Sequence, residues 1–186
     1  MKIFIKNMVC NRCLMAVEEV FENLKIEISS VELGEVETKN DLSNSELKNL
    51  SENLENLGFE ILEDHVRKQI EKIKTVIIQK ISQLDISENF ILSEFLVDEF
   101  HKDYSSISKN FSQNENVTLE QYFILQKIEK TKELLFYNEF NLTEIAGKLG
   151  YKSVQHLSSQ FKTSTGFTPS EFKKMKNKNR KSIDFS

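Results

Sequence analysis

The run NLTEIAGKLGYKSVQHLSSQFKTSTGFTPSEF, residues 141–172, decides how this chain folds. Asn141 is followed three positions later by Glu144, a capping-box spacing in which each side chain can satisfy an amide at the start of a helix. Ile145, Ala146 and Leu149 then share one apolar face, and Ala146 is small enough to let a second helix cross closely. Gly150 stands where a helix leaves through left-handed backbone. Ser153 can cap a second helix, in which Val154, Leu157 and Phe161 recur at i, i+3 and i+7. Its other face holds Gln155, His156, Ser159, Gln160 and Lys162, hydrogen-bonding groups rather than merely solubilising charges. Gly166 closes that helix, and Thr168-Pro169-Ser170-Glu171 opens another with a cap, Pro at the first helical position and Glu at the third.

An offset of 50 residues reproduces the pattern upstream without a gap. Phe90/Phe140, Leu92/Leu142, Glu94/Glu144, Phe95/Ile145, Ile107/Leu157, Ser108/Ser158, Phe111/Phe161, Thr118/Thr168 and Tyr122/Phe172 all correspond. The first copy predicts a helix over Ser93–Phe100 that buries Phe95, Leu96 and Phe100. A second helix should be capped by Asp103, with Ile107 and Phe111 inward and Tyr104, Ser105, Ser108, Lys109 and Ser112 outward. Asn116 takes the place of Gly166, as the residue next best suited to left-handed backbone. Between the copies, Thr118–Tyr137 reads as one helix of about 20 residues and about 30 Å, close to the roughly 34 Å of one DNA turn. Helix, tight turn and polar-faced helix, twice over, is the plan of a tandem helix-turn-helix. The competing expectation is a plain helical bundle with solvated faces; caps, turns and spacer agreeing at both copies count against it.

The run from Leu142 to Tyr151 resembles the second helix-turn-helix of AraC-type regulators. The run Leu157-Ser158-Ser159-Gln160-Phe161-Lys162, with Thr165 to Phe172, is similar to that family's most specific signature. The resemblance covers roughly residues 85–175. It implies sequence-specific binding of double-stranded DNA in successive major grooves, with base edges touched by Tyr104, Ser105, Ser108 and Lys109 and by Val154, Gln155, Ser159 and Gln160. His156 and Lys162 share the second outward face and complete the candidate interface. The family's usual Arg in the second recognition helix is Ser159 here, and the connecting helix has Lys127 and Lys132 but no Arg. Arg is the commonest reader of guanine, so the half-site is expected to lean toward A·T.

The N-terminal third alternates strand and helix: a β-rich run at Ile3–Ile5, a helix from Cys13 to about Leu24, and β-rich Ile26–Val36 broken by Gly34. An amphipathic helix over Ser43–Leu57 follows, with Leu47, Leu50, Leu54 and Leu57 inward, then Gly58 and a last strand at Phe59–Ile61. The order βαββαβ is the ferredoxin-like arrangement. Met8-Val9-Cys10-Asn11-Arg12-Cys13 falls at its first strand-to-helix loop and resembles the Met-x-Cys-x-x-Cys of heavy-metal-associated domains. That resemblance implies a soft ion such as Cu(I) on Cys10 and Cys13, with Met8 packed beneath the loop. Independently, thiolates suit soft metals, and a helix N-terminus beside Arg12 lowers a thiol's pKa. A thioredoxin-like redox pair and a merely structural pair stay open; His65, His101 and His156 have no ligand spacing with the cysteines. From Val66 to Ile81 an isoleucine stripe, Ile70, Ile73, Ile77 and Ile81, predicts a helix that packs on the first helix-turn-helix and couples the domains.

The fold class expected is therefore α+β. A ferredoxin-like βαββαβ domain spans 1–64, a coupling helix 65–82 and an all-α tandem helix-turn-helix 83–175, before a basic tail at 176–186. The net charge of −4 is unevenly spread: residues 1–79 carry 10 Lys+Arg against 15 Asp+Glu, and residues 80–186 carry 15 against 14. Local rather than total charge governs contact with phosphates, so the balance excludes an indiscriminate basic coat but not DNA. No window offers the roughly 18 apolar residues of a membrane helix, and the N-terminus is too quickly polar for a signal peptide; a cytoplasmic protein is expected. No phosphate-cradling loop, nucleophile-base set or paired carboxylates point to an enzyme. The expected function is a transcription regulator responsive to a soft metal ion. The alternative is a metal-handling chaperone or buffer whose helical half docks a partner protein. A homodimer is compatible with either.

Overall fold

In a computed structural model that describes residues 1–62 and 65–178, the alternation of Ile3 and Ile5 with Phe4 becomes strand β1 (Lys2–Lys6). It is followed by α1 (Asn11–Asn23), β2 (Ile28–Glu32), β3 (Glu35–Thr38), α2 (Asn44–Glu55) and β4 (Glu60–Leu62). The four strands lie in the order β2-β3-β1-β4, every neighbour antiparallel, with Ile3 opposite Val36 and Ile5 opposite Ile61. This is the expected ferredoxin-like sheet. Side chains alternate across a strand, so Ile3, Ile5 and Val36 meet Val17, Val20 and Phe21 of α1 and Leu50 and Leu54 of α2 in one core. Each such burial contributes roughly 1.5–3 kcal/mol.

Two boundaries differ from the sequence reading for local reasons. Helix α1 begins at Asn11, two residues before Cys13, and Cys10 is its N-cap. Leu57 does not belong to the buried stripe of α2: it lies beyond the helix end and is 54% exposed. There the Phe59 amide donates to the Leu54 carbonyl at 3.0 Å, Gly58 turns at φ +86, and Phe59 fills the space instead.

The isoleucine stripe forms α3 (His65–Ser82), with Ile70, Ile73, Ile77 and Ile81 all buried. Its N-terminal part covers the sheet face carrying Phe4: the Lys68 ammonium lies 5.0 Å from the Phe4 ring centre, and the Thr75 hydroxyl donates to the Leu33 carbonyl at 3.2 Å. The chain divides into two units, Met1–Ile78 and Gln79 onward, with the division inside α3. Asp64, the expected joint, lies outside the described residues, as do Arg180 and Lys181 of the expected basic tail.

The second unit is helical: α4 (Leu92–Phe100), α5 (Tyr104–Asn114), α6 (Leu119–Tyr137), α7 (Leu142–Lys148), α8 (Val154–Thr165) and α9 (Pro169–Lys178). The first residues of α4, α5 and α6 stand 50 positions before those of α7, α8 and α9. The repeat is thus structural. Caps fall where the sequence placed them, with Asp103 accepting from the Ser106 amide and Ser153 from the His156 amide. Asn141 and Glu144 form the reciprocal box that opens α7, and Thr118 and Gln121 form another at α6.

The copies differ at their ends. Helix α7 closes in a Schellman turn: the Tyr151 amide donates to the Ala146 carbonyl at 2.9 Å and that of Gly150 to Gly147 at 3.1 Å, with Gly150 at φ +69. Helix α4 instead exits through His101 in left-handed backbone and begins at Ile91, which offers no capping side chain. Only Leu96 of its three expected core residues is fully buried, while Phe95 and Phe100 are half-buried. Asn116 is not left-handed. The Glu115 amide still bonds to the Phe111 carbonyl and the chain then leaves extended at φ −114, one position before the Gly166 equivalent, so no left-handed residue is needed.

One pairing ties the approach segment to the second copy. The Ile86 amide donates to the Lys148 carbonyl at 3.1 Å, Ile86 bridges to Leu149, and its side chain is buried. Among the described residues no helix is long and apolar enough to cross a membrane.

Candidate nucleic-acid interface

Ile107 and Phe111 anchor α5 with no exposed surface. The helical period then turns Ser105, Lys109 and Ser112 outward, with Ser108 half-buried. The Asp103 carboxylate accepts from the Ser105 hydroxyl at 2.6 Å and the Ser106 amide at 2.8 Å, which hold its pKa below the usual carboxylate value. Tyr104 is half-buried, and its hydroxyl is tied to Glu120 at the start of α6. Burial, and then the Glu120 carboxylate, raise the phenol's pKa, so Tyr104 faces a solvent-side partner as a neutral donor already engaged. Ser105 and Ser108 are engaged as well, with Asp103 and Tyr104, and Lys109 and Ser112 are the exposed remainder of this face.

Leu157 and Phe161 anchor α8 in the same way, Phe161 meeting Phe172 edge to face at 5.6 Å. Gln155, His156, Ser159 and Lys162 are exposed, whereas Val154 and Gln160 are half-buried at its shoulders. The Tyr151 hydroxyl donates to Gln160 Oε1 at 2.7 Å, and the His156 ring stands edge-on to Tyr151 at 5.4 Å. Thr163, exposed one turn beyond Ser159 and donating to its carbonyl at 3.0 Å, adds a residue to the polar face that the sequence reading ended at Lys162.

Lys127 is not a free cation of the spacer. It is 7% exposed, its ammonium 3.8 Å from the Tyr151 ring centre and 5.3 Å from that of Phe123. The signal for this was its i, i+4 relation to Phe123 on one helix face. Burial pushes the Lys127 pKa down to about 8. The unfolded chain, with lysine near 10.5, therefore binds more protons between about pH 8 and 10.5, and stability rises with pH across that window. Above about pH 10 the buried Tyr151 phenol, whose pKa is raised, opposes the trend. Urea unfolding at about pH 8 and about pH 9.5 should show this gain in the natural chain and not in Lys127→Met; an equal gain in both would assign it elsewhere.

In the first unit, Cys10 and Cys13 sit at the first turn of α1 with Sγ atoms 3.6 Å apart, Cys10 exposed and Cys13 half-buried. Met8 is buried beneath the loop. Burial acts to raise the Cys10 thiol's pKa. Hydrogen bonds from the Cys13 amide, the Cys13 thiol and the Arg12 amide, with the Arg12 charge, outweigh it and leave the pKa lowered. Two sulfurs at this distance can approach one ion together. Among the described residues no group of three or more His, Cys, Asp or Glu side chains converges.

Two polar-faced helices, each docked by the helix that precedes it and joined by α6, define a tandem helix-turn-helix unit of the kind that DNA-binding regulators carry. Residues 96–175 match a family described as "Helix-turn-helix domain". Solved structures share the fold across most of their own length. The C-terminal domain of AraT, a response regulator from Geobacillus stearothermophilus, has a TM-score of 0.52 at 18% identity, covering 66% of this chain and 94% of that one. A DNA-binding transcriptional dual regulator from Escherichia coli K-12 has 0.51 at 20%, covering 63% and 96%. The DNA-binding domain of AdpA, the global transcriptional factor, in complex with a target DNA, has 0.50 at 19%, covering 58% and 95%. At these identities the likeness is one of fold. No curated protein sequence matches the chain. The family match lies within the second unit.

Proposed function

We propose that this protein is a sequence-specific transcription regulator that reads double-stranded DNA with α5 and α8, and that a soft metal ion on Cys10 and Cys13 modulates it in the cytoplasm. The observation that carries the reading is the repeated unit: two buried-anchored helices with exposed hydrogen-bonding faces, each starting 50 residues apart. The 19-residue helix α6 spans about 28 Å at 1.5 Å per residue. That suits a bipartite site whose halves lie in successive major grooves, about 34 Å apart. The metal reading is supported by the 3.6 Å thiol pair and the lowered Cys10 pKa. Thiolates at a helix start favour a soft ion such as Cu(I), and for such binding to regulate, the ion must prefer one conformation of the chain over another.

The test is selection of bound fragments from a random double-stranded pool at fixed salt, with and without Cu(I). The double change Gln155→Ala with Ser159→Ala should flatten the base preference of one half-site. Lys162→Ala should weaken all sequences alike and reduce the salt dependence. Replacing both cysteines by Ser should remove any Cu(I) effect while leaving the selected sequence unchanged. Identical affinities with and without Cu(I) in the natural chain would discard the sensing half. Transfer of Cu(I) to an acceptor, with no sequence preference, would replace the whole reading with metal handling.

A further inference from the structure

The face of α8 has a centre and a shoulder, and Gln160 on the shoulder is constrained as Gln155 is not. Gln155 is exposed, whereas Gln160 is half-buried with its carbonyl turned to the Tyr151 hydroxyl at 2.7 Å. Tyr151 is itself fixed, at 5% exposure. Beneath its ring lies the Lys127 ammonium of α6, and the His156 ring of α8 stands against it edge-on. The Schellman turn at Gly150 sets the backbone from which the ring projects. Phenol and amide are thus held between two helices rather than left to rotate in solvent.

A glutamine reads adenine by offering its carbonyl and amide side by side, one accepting from N6 and the other donating to N7. Gln160 cannot make that pair while its carbonyl faces inward, and what remains for DNA is the amide N–H. We propose that Tyr151 is a specificity-determining residue of the second recognition helix. By holding the Gln160 carbonyl it restricts Gln160 to donating, so this position loses the bidentate pair with adenine, which keeps only N7 as an acceptor, and favours guanine, whose N7 and O6 both accept. The inference rests on the DNA reading given above. It applies to the second copy alone: at the corresponding offset, the first copy has His101 for Tyr151 and Asn110 for Gln160, and His101 is exposed in left-handed backbone.

Random-pool selection with the full chain, Tyr151→Phe and Gln160→Ala tests this. Tyr151→Phe removes one hydroxyl and leaves the ring on Lys127, so its thermal unfolding should match that of the natural chain. The natural chain should prefer guanine to adenine at one base pair. Tyr151→Phe should raise adenine there by roughly five-fold or more, the low end of what a bidentate pair discriminates. Gln160→Ala should flatten that same base pair, and the other positions should keep their preferences in both variants. Identical profiles for Tyr151→Phe and the natural chain would overturn the proposal, as would a loss spread evenly over all positions, the mark of a merely structural role. An unchanged profile in Gln160→Ala would overturn it too. If the natural chain itself selected no sequence, the DNA reading would fall and the inference with it, an outcome distinct because all three proteins would be equally unselective.

Discussion

Gly150→Ala should cost the second unit roughly 2–5 kcal/mol, a thermal midpoint lower by about 10 °C or more. Two penalties add. Gly150 sits at φ +69, where a residue with a Cβ pays about 1–2 kcal/mol. The added Cβ would also lie 2.6 Å from Ile86 Cγ2 and 2.7 Å from the Ser87 carbonyl oxygen. The second neighbour is backbone, so relief requires moving the segment that bonds to Lys148, not a side-chain rotation. Gly147→Ala, three residues earlier, is the control. Nothing lies within 4 Å of its added Cβ, and its helical position favours Ala by about 0.5–1 kcal/mol. Circular dichroism melts of the two variants should therefore move in opposite directions. A Gly150→Ala melt unchanged from that of the natural chain would mean that the close approach of Ile86 is not part of the folded protein.

Phe161→Ala should cost about 3–5 kcal/mol, the range for emptying a buried aromatic site. Phe161 has no exposed surface and packs edge to face on Phe172, joining α8 to α9. Its counterpart Phe111 is equally buried and packs on Tyr122 at 5.5 Å, joining α5 to α6. The repeat therefore predicts similar losses from Phe111→Ala and Phe161→Ala. Denaturant unfolding followed by helical signal should keep one transition for this unit in each variant. A loss under about 1 kcal/mol at either site would contradict its place as a core anchor.

What the sequence made legible is what is local. The cap residues Asp103, Thr118, Asn141, Ser153 and Thr168 act within three residues of themselves, and the 50-residue offset needs no knowledge of packing. The strand order followed from the element order and from alternation at Ile3 to Ile5. Harder were features in which distant parts of the chain meet. Nothing near Ile86 announces Leu149, because their pairing closes a loop of more than sixty residues. Lys127 reads as a solvated cation until Tyr151 is brought over it. Tyr104 and Gln160 read as free readers, yet each spends a hydrogen bond inside the unit. Leu57 and Asn116 differ for a simpler reason: each pattern runs on one or two residues past the place where the backbone has already changed direction.

The bond from Ile86 to Lys148 bears on how the duplicated halves can be taken apart. A tandem repeat suggests two modules that could be exchanged, shuffled or trimmed separately. Here the second module borrows part of its wall from chain that precedes the first, and even the stretch that carries the family signature begins after that wall. A chimera that grafts α7–α9 onto another spacer would leave Leu149 and the Gly150 turn facing water unless residues 85–87 travelled with them. The second copy therefore does not stand by itself, and the block that has to be moved together runs from the approach segment through α9.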